Sequence, residues 1–483
     1  MIERKLLKLF DKQIKSNITY YGGDLHKIES TYKLLLRIIL PSIILLLLII
    51  IIFKKFIFIP FLSILIFFII LYPLIYSWIK KVEYRRASDL EGPFFLILLY
   101  LNSLLDKGIL TSLEEGSKLG IFKVVNKELQ QLKKDIILRN ISTRKALNNR
   151  AIIRKDDIFG KIYMNYLAAE DVGISIPQRM RELLQDTFNW IKENYENYLN
   201  FVMSITEGIF SIFILIPILL IAFQSVFSIS LFQLLIPLAL VPPIFLLISL
   251  NQPDTGHKIK VKLLDIIILF TVSILIFLIP TLEIKYKIYC IILAYTIFSI
   301  KYYLILRNNE KAINLLPNIL KNLSDFYQIG HSIKLSMQKL DEKIYKLLRN
   351  TSRTNWIINY VLELLNIIEN KSSESGNIIN ELNNILITIN GIKRKLVNSL
   401  KLYSILNYTT PFILWFTFSM INPYRVTTVG DIVDIILISY SAALALLFTK
   451  ISEFTILKPF HVLITSTISL LLTFIPPNLI SLI

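Results

Sequence analysis

Residues 34–53 read Leu34-Leu-Leu-Arg-Ile-Ile-Leu-Pro-Ser-Ile-Ile-Leu-Leu-Leu-Leu-Ile-Ile-Ile-Ile-Phe53. Twenty apolar-dominated residues make a helix of about 30 Å, the thickness of a bilayer's hydrocarbon core. A second block, Phe56 to Trp78, follows after the hinge Lys54-Lys55. The first block begins too late and runs too long for a cleaved signal peptide, so it is expected to stay as an anchor. Further along, the 20-residue rule marks spans near 201–223, 227–250, 264–282, 288–306, 402–421, 432–448 and 456–480, nine in all. Composition agrees: 54% of the 483 residues are hydrophobic, and mean hydropathy is +0.59.

The fold class expected is an all-α polytopic membrane protein. Its parts are a cytoplasmic N-terminal segment (1–33), a first membrane pair (34–78), a helical cytoplasmic domain (79–200), two further pairs (201–250 and 264–306), a second cytoplasmic domain (307–401) and three last membrane helices (402–480). The formal charge of +18 comes from 53 Lys and Arg against 35 Asp and Glu. Its cations concentrate in 1–33, in the two long polar stretches and in the loop 251–262, while the turns assigned outside hold few. The positive-inside rule then puts the N-terminus in the cytoplasm of a cell-membrane protein. No zinc-finger spacing or Gly-aromatic RNA-binding motif accompanies that charge, so nucleic acid is not expected as a partner, whereas membrane lipid is.

The two polar stretches echo each other. Aligning Gly108 with Gly330 superposes Leu98 on Leu320, Leu101 on Leu323, Leu104 on Phe326 and Leu113 on Leu335. Later, Asp171-Val-Gly173 matches Glu374-Ser-Gly376 ahead of a new apolar-periodic helix. A pair of spans precedes and follows each stretch, so the duplication is parallel, unlike the inverted repeats of many transporters. Gly108 and Gly330 are expected just past helix C-termini in the left-handed conformation. Gly173 and Gly376 read as turn or close-packing residues. Asp171 and Glu374 read as caps of the following helix, or as partners of a cation on another subunit, or of a metal.

The run Lys133, Lys134, Arg139, Arg144, Lys145, Arg150, Arg154 and Lys155 reads as a solvated face touching water or anionic headgroups, or as an electrostatic dock for a cytoplasmic partner. No apolar segment carries a clear central charge, which disfavours ion-coupled transport. Motifs for ATP binding, zinc proteolysis or a serine nucleophile are missing, and the four histidines have no ligand spacing. Val429-Gly-Asp431 offers little to an aspartyl-protease reading, because Thr428 stands where that motif has its first glycine. Cys290 is alone, so no disulfide within the chain and no thiol metal site are expected. Neither catalysis nor a cofactor is expected.

Duplicated helical stretches between membrane pairs, with the Leu-rich helix ending at Gly and the Glu374-Ser-Gly376 entry, resemble the type II secretion F family. That family supplies the platform proteins of type II secretion systems and type IV pili. The extra membrane helices resemble its archaeal members, which serve adhesive pili and archaella. The first copy, Glu170-Asp171-Val172-Gly173, departs from the family signature, and the second copy is shorter. The resemblance implies an assembly platform that takes work from a hexameric secretion ATPase and passes it to pilin subunits, as a dimer or other symmetric oligomer. A solute permease is the alternative.

Overall fold

A computed structural model of the protein describes residues 11–34, 37, 59–223, 236–254, 256, 259, 261–329, 332–338, 341–369, 375–421 and 427–475. Every regular element among them is helical. Two compact units divide the chain, Met1–Thr187 and Phe188–Ile483.

In the first unit, α1 (Asp11–Tyr21) precedes a helical stretch over 25–34, and α2 (Ile59–Ser103) is 45 residues long. The apolar composition of its first twenty residues gives way at Lys80 to charged sequence without a break in the helix. Aromatic residues mark the change: Tyr72 stacks on Tyr32 (6.3 Å) and on Tyr76 (5.7 Å). Beyond it come α3 (Ile109–Lys118), α4 (Lys123–Leu138), α5 (Thr143–Ile153) and α6 (Ile158–Val172). Each doubles back on the one before. Asn102 donates to Ser112 at 3.2 Å across α2 and α3, and a Cβ added to Gly116 of α3 would lie 3.1 Å from Val125 of α4. The core between them includes Phe95, Leu98, Leu113, Val125, Phe159 and Ile162.

Local sequence sets the ends of these helices. Ser142 and Asp157 cap α5 and α6 by accepting from Lys145 and Gly160 backbone N–H groups. Phe122 cannot cap α4, so Glu91 on α2 does: its carboxylate accepts from the N–H of Lys123 (2.9 Å) and Val124 (2.7 Å). Gly173 ends α6 with φ of 73°. Gly108 corrects the expectation made for it. Its φ is −73° and it is the N-cap of α3, while Asp106 adopts the left-handed conformation after α2 (φ 54°). The turn needed one left-handed residue, and a short polar side chain fills that role too.

α7 (Ile176–Phe210) carries the chain into the second unit, continuing through a π-helical turn (Ser211–Leu215) to α8 (Ile216–Phe223). There follow α9 (Val241–Asn251), α10 (Leu263–Leu278), α11 (Ile284–Gln328), α12 (Ile333–Gln338), α13 (Glu342–Ser352) and α14 (Trp356–Glu369). The last three are α15 (Ser375–Ile421), α16 (Thr427–Glu453) and α17 (Phe460–Thr473). The unit's core gathers Val202, Phe213, Ile248, Leu400, Leu414 and Tyr440. Lys458 closes its polar edge by bridging Glu310 (2.9 Å) and Glu453 (2.5 Å).

Among the described residues, three helical segments are long and apolar enough to cross a membrane: Ile176–Leu219, Ile284–Gln328 and Val433–Glu453. They carry the spans expected near 201–223, 288–306 and 432–448. The helices at the spans expected near 264–282 and 456–480 are shorter, 16 and 14 residues. At 1.5 Å per residue that is about 24 and 21 Å, less than a full core. The span expected at 34–53 lies almost wholly outside the described residues.

Candidate functional site in the first unit

The basic run does not form one exposed face. Arg150 and Arg154, on and just after α5, are 3% and 0% exposed and converge on Glu128 of α4, itself 0% exposed. Arg150 meets Glu128 at 2.5 Å and Arg154 at 2.7 Å. Arg154 also pairs with Asp157 at 2.7 Å and donates to Ser88. Three phenols complete the shell: Tyr84 (2.9 Å) and Tyr163 (3.3 Å) donate to Glu128, and Tyr20 (2.5 Å) donates to Asp157. Two guanidiniums and two carboxylates balance, and the phenols occupy the remaining acceptor positions, which is how a buried charge group is made tolerable.

Electrostatics follow the geometry. Burial pushes the Glu128 carboxyl up, but Arg154 and Arg150 outweigh it and hold it at about 2. Burial, with Asp157 adding to it, raises the Tyr20 phenol well above its usual range. Asp89, next to Ser88 on α2, is raised to about 7 by burial, only partly opposed by Arg85. The cluster also clamps the N-terminal helix: Arg150 donates to the carbonyls of Thr19 (3.0 Å) and Tyr20 (3.3 Å) at the end of α1.

The other basic residues of the run are exposed, but three have acidic neighbours in the same unit. Lys133 pairs with Glu114 (2.8 Å), Arg139 with Asp135 (2.9 Å) and Arg144 with Asp171. Lys134, Lys145 and Lys155 are exposed. Asp171 therefore sits in the last turn of α6 as the partner of Arg144 in its own chain. This corrects its reading as a cap of the following helix. Gly376 is the second residue of α15, while Gly330 and Glu374 lie outside the described residues.

What these contacts bring together is one end of the bundle. The Arg144–Asp171 pair puts the start of α5 beside the end of α6. Tyr166 of α6 accepts from Ile109 N–H at the start of α3, next to where α2 ends. This end is thus remote from the apolar half of α2. Ile137 (72%), Leu138 (73%) and Val172 (71%) are exposed there, joined by Ile174 and Leu105. The basic pattern pointed to this hairpin. Its apolar tip carries no periodicity and was missed, as was Glu128, whose partners lie 22 and 26 positions away.

No family model matches the chain, and comparisons with curated proteins and with solved structures find no match either.

Proposed function

We propose that the protein is the cell-membrane platform of a type IV pilus-like assembly system of the archaeal kind, with a cytoplasmic N-terminus and about nine spans. It couples a cytoplasmic secretion ATPase to pilin polymerisation. The observation that carries this reading is mechanical. α2 runs unbroken for 45 residues from apolar to charged sequence, and α11 has the same length and the same polarity order. Leu98 and Leu101 in one and Leu320 and Leu323 in the other are buried at the aligned positions. The far ends of both polar stretches also run on as continuous helices, in α7 and α15. A helix that is stiff across the interface passes a tilt or rotation of the bundle into the membrane.

The motor is proposed to engage the exposed end of the first unit, where Ile137, Leu138 and Val172 stand among Lys134, Arg139 and Lys145. Apolar anchors rimmed by charge are the ordinary make-up of a protein interface. Co-purification from crosslinked membranes tests it. The Ile137→Asp/Leu138→Asp variant, and charge reversal at Lys133, Lys134, Arg144 and Lys145, are expected to lose a secretion-type ATPase that the unaltered protein retains. Undiminished recovery with both variants overturns the docking site.

A further inference from the structure

In 199–223, Leu-Asn-Phe-Val-Met-Ser-Ile-Thr-Glu-Gly-Ile-Phe-Ser-Ile-Phe-Ile-Leu-Ile-Pro-Ile-Leu-Leu-Ile-Ala-Phe, Glu207 is the single charged residue. It stands off-centre in that segment, beside the expectation that no apolar segment carries a clear central charge. It lies seven residues past Asn200. That is about 10 Å along the helix, a third of the way through a core of about 30 Å.

The structure shows which way it faces. Val202, Thr206, Ile209 and Phe213 are buried on the side turned to the unit's core. Ser204, Glu207, Gly208, Ser211 and Leu215 are exposed along the other. The π-helical turn Ser211–Leu215 lies just ahead of Pro217, whose ring nitrogen has no N–H to return to the Phe213 carbonyl. Among the described residues the Glu207 carboxylate has no hydrogen bond or ion pair. Nothing lies within 4 Å of where a Gly208 Cβ would be.

A carboxylate on the lipid side of a span is costly, and such groups normally face a partner or a cavity. Small neighbours let a second backbone come close. A second copy docked here about a two-fold axis would set Glu207 against Glu207, which like charge disfavours. We infer that this face receives a transmembrane helix of another polypeptide that presents a cation, a lysine or arginine side chain or a free amine, at the depth of Glu207. The inference rests on residues 201–223 being a membrane span and not on the motor site above.

The test uses the full chain, with Cys290→Ser, in lipid nanodiscs. Energy transfer reports association with two synthetic 20-leucine transmembrane peptides, one with a lysine at its seventh position and one without. The lysine peptide is expected to associate about tenfold more tightly, the scale of one interhelical polar contact. Glu207→Gln is expected to erase that difference. Equal association of the two peptides, a difference that survives Glu207→Gln, or Glu207-dependent self-association in place of peptide binding overturns the proposal. A Leu215→Cys variant separates this from failure of the span: resistance to a water-soluble maleimide places the face in lipid, and rapid labelling removes the premise.

Discussion

Replacing Glu128 by Gln removes one charge from the buried cluster and keeps its volume. Arg150 and Arg154 then face Asp157 alone in a site where all four groups are buried. Breaking a buried ion group by deleting one partner costs about 3–5 kcal/mol, because the remaining charge is left uncompensated. At about 1.4 kcal/mol per tenfold, opening of the surrounding structure becomes more frequent by roughly two to three and a half orders of magnitude. Amide hydrogen exchange on the full-length protein in detergent at pH 7, read by mass spectrometry, follows it. Exchange is expected to accelerate in α4, α5 and α6. It should also accelerate in α1, because Arg150 also holds the Thr19 and Tyr20 carbonyls. The double variant Glu128→Leu/Arg150→Met leaves Arg154 balanced by Asp157, so it should recover protection in α4 to α6 but not in α1. Exchange within about threefold of the unaltered protein in every one of these helices after Glu128→Gln refutes the reasoning.

Glu91→Ala removes the two charge-assisted hydrogen bonds that start α4. A loss of about 2–4 kcal/mol is expected in the chemical denaturation of the first unit, and a change below about 0.5 kcal/mol contradicts the capping role. The Asp89 carboxyl, raised to about 7 from its ordinary 3.8, binds its proton more tightly when folded. Stability contributed by the protonated group is therefore lost as pH rises from about 4 to about 7, at most about 4 kcal/mol in all. Asp89→Asn should flatten that slope and raise the melting temperature at pH 8; an unchanged slope counts against it. Gly173→Ala forces a side chain into a left-handed position (φ 73°) and should cost about 1 kcal/mol in thermal unfolding. A neutral or stabilising result would mean that the end of α6 rearranges.

Helix type was legible, as were three of the nine expected spans, near 201–223, 288–306 and 432–448, because each leaves a long periodic or continuous apolar signal. Leu98, Leu101, Leu320 and Leu323 were marked as core by spacing alone, and all four are buried. Leu113 and Leu335 align equally well, yet one is buried and the other is exposed. The basic run misled in a specific way. A linear pattern of cations does not show which are consumed by acids distant in sequence, and Arg150 and Arg154 are consumed by Glu128 and Asp157. Gly108 misled for a related reason: a turn needs one left-handed residue, and Asp106 took the position two residues earlier. Glu207 was visible in the sequence, but its exposure on one side of α7 required knowing which side the core occupies.

The most direct measurement is affinity purification of the tagged full-length protein from crosslinked membranes in mild detergent, with its partners identified by mass spectrometry. The platform account predicts a hexameric secretion-type ATPase together with pilin-like membrane subunits. Recovery of neither, while the purified protein in liposomes moves a solute, would contradict it and favour a permease.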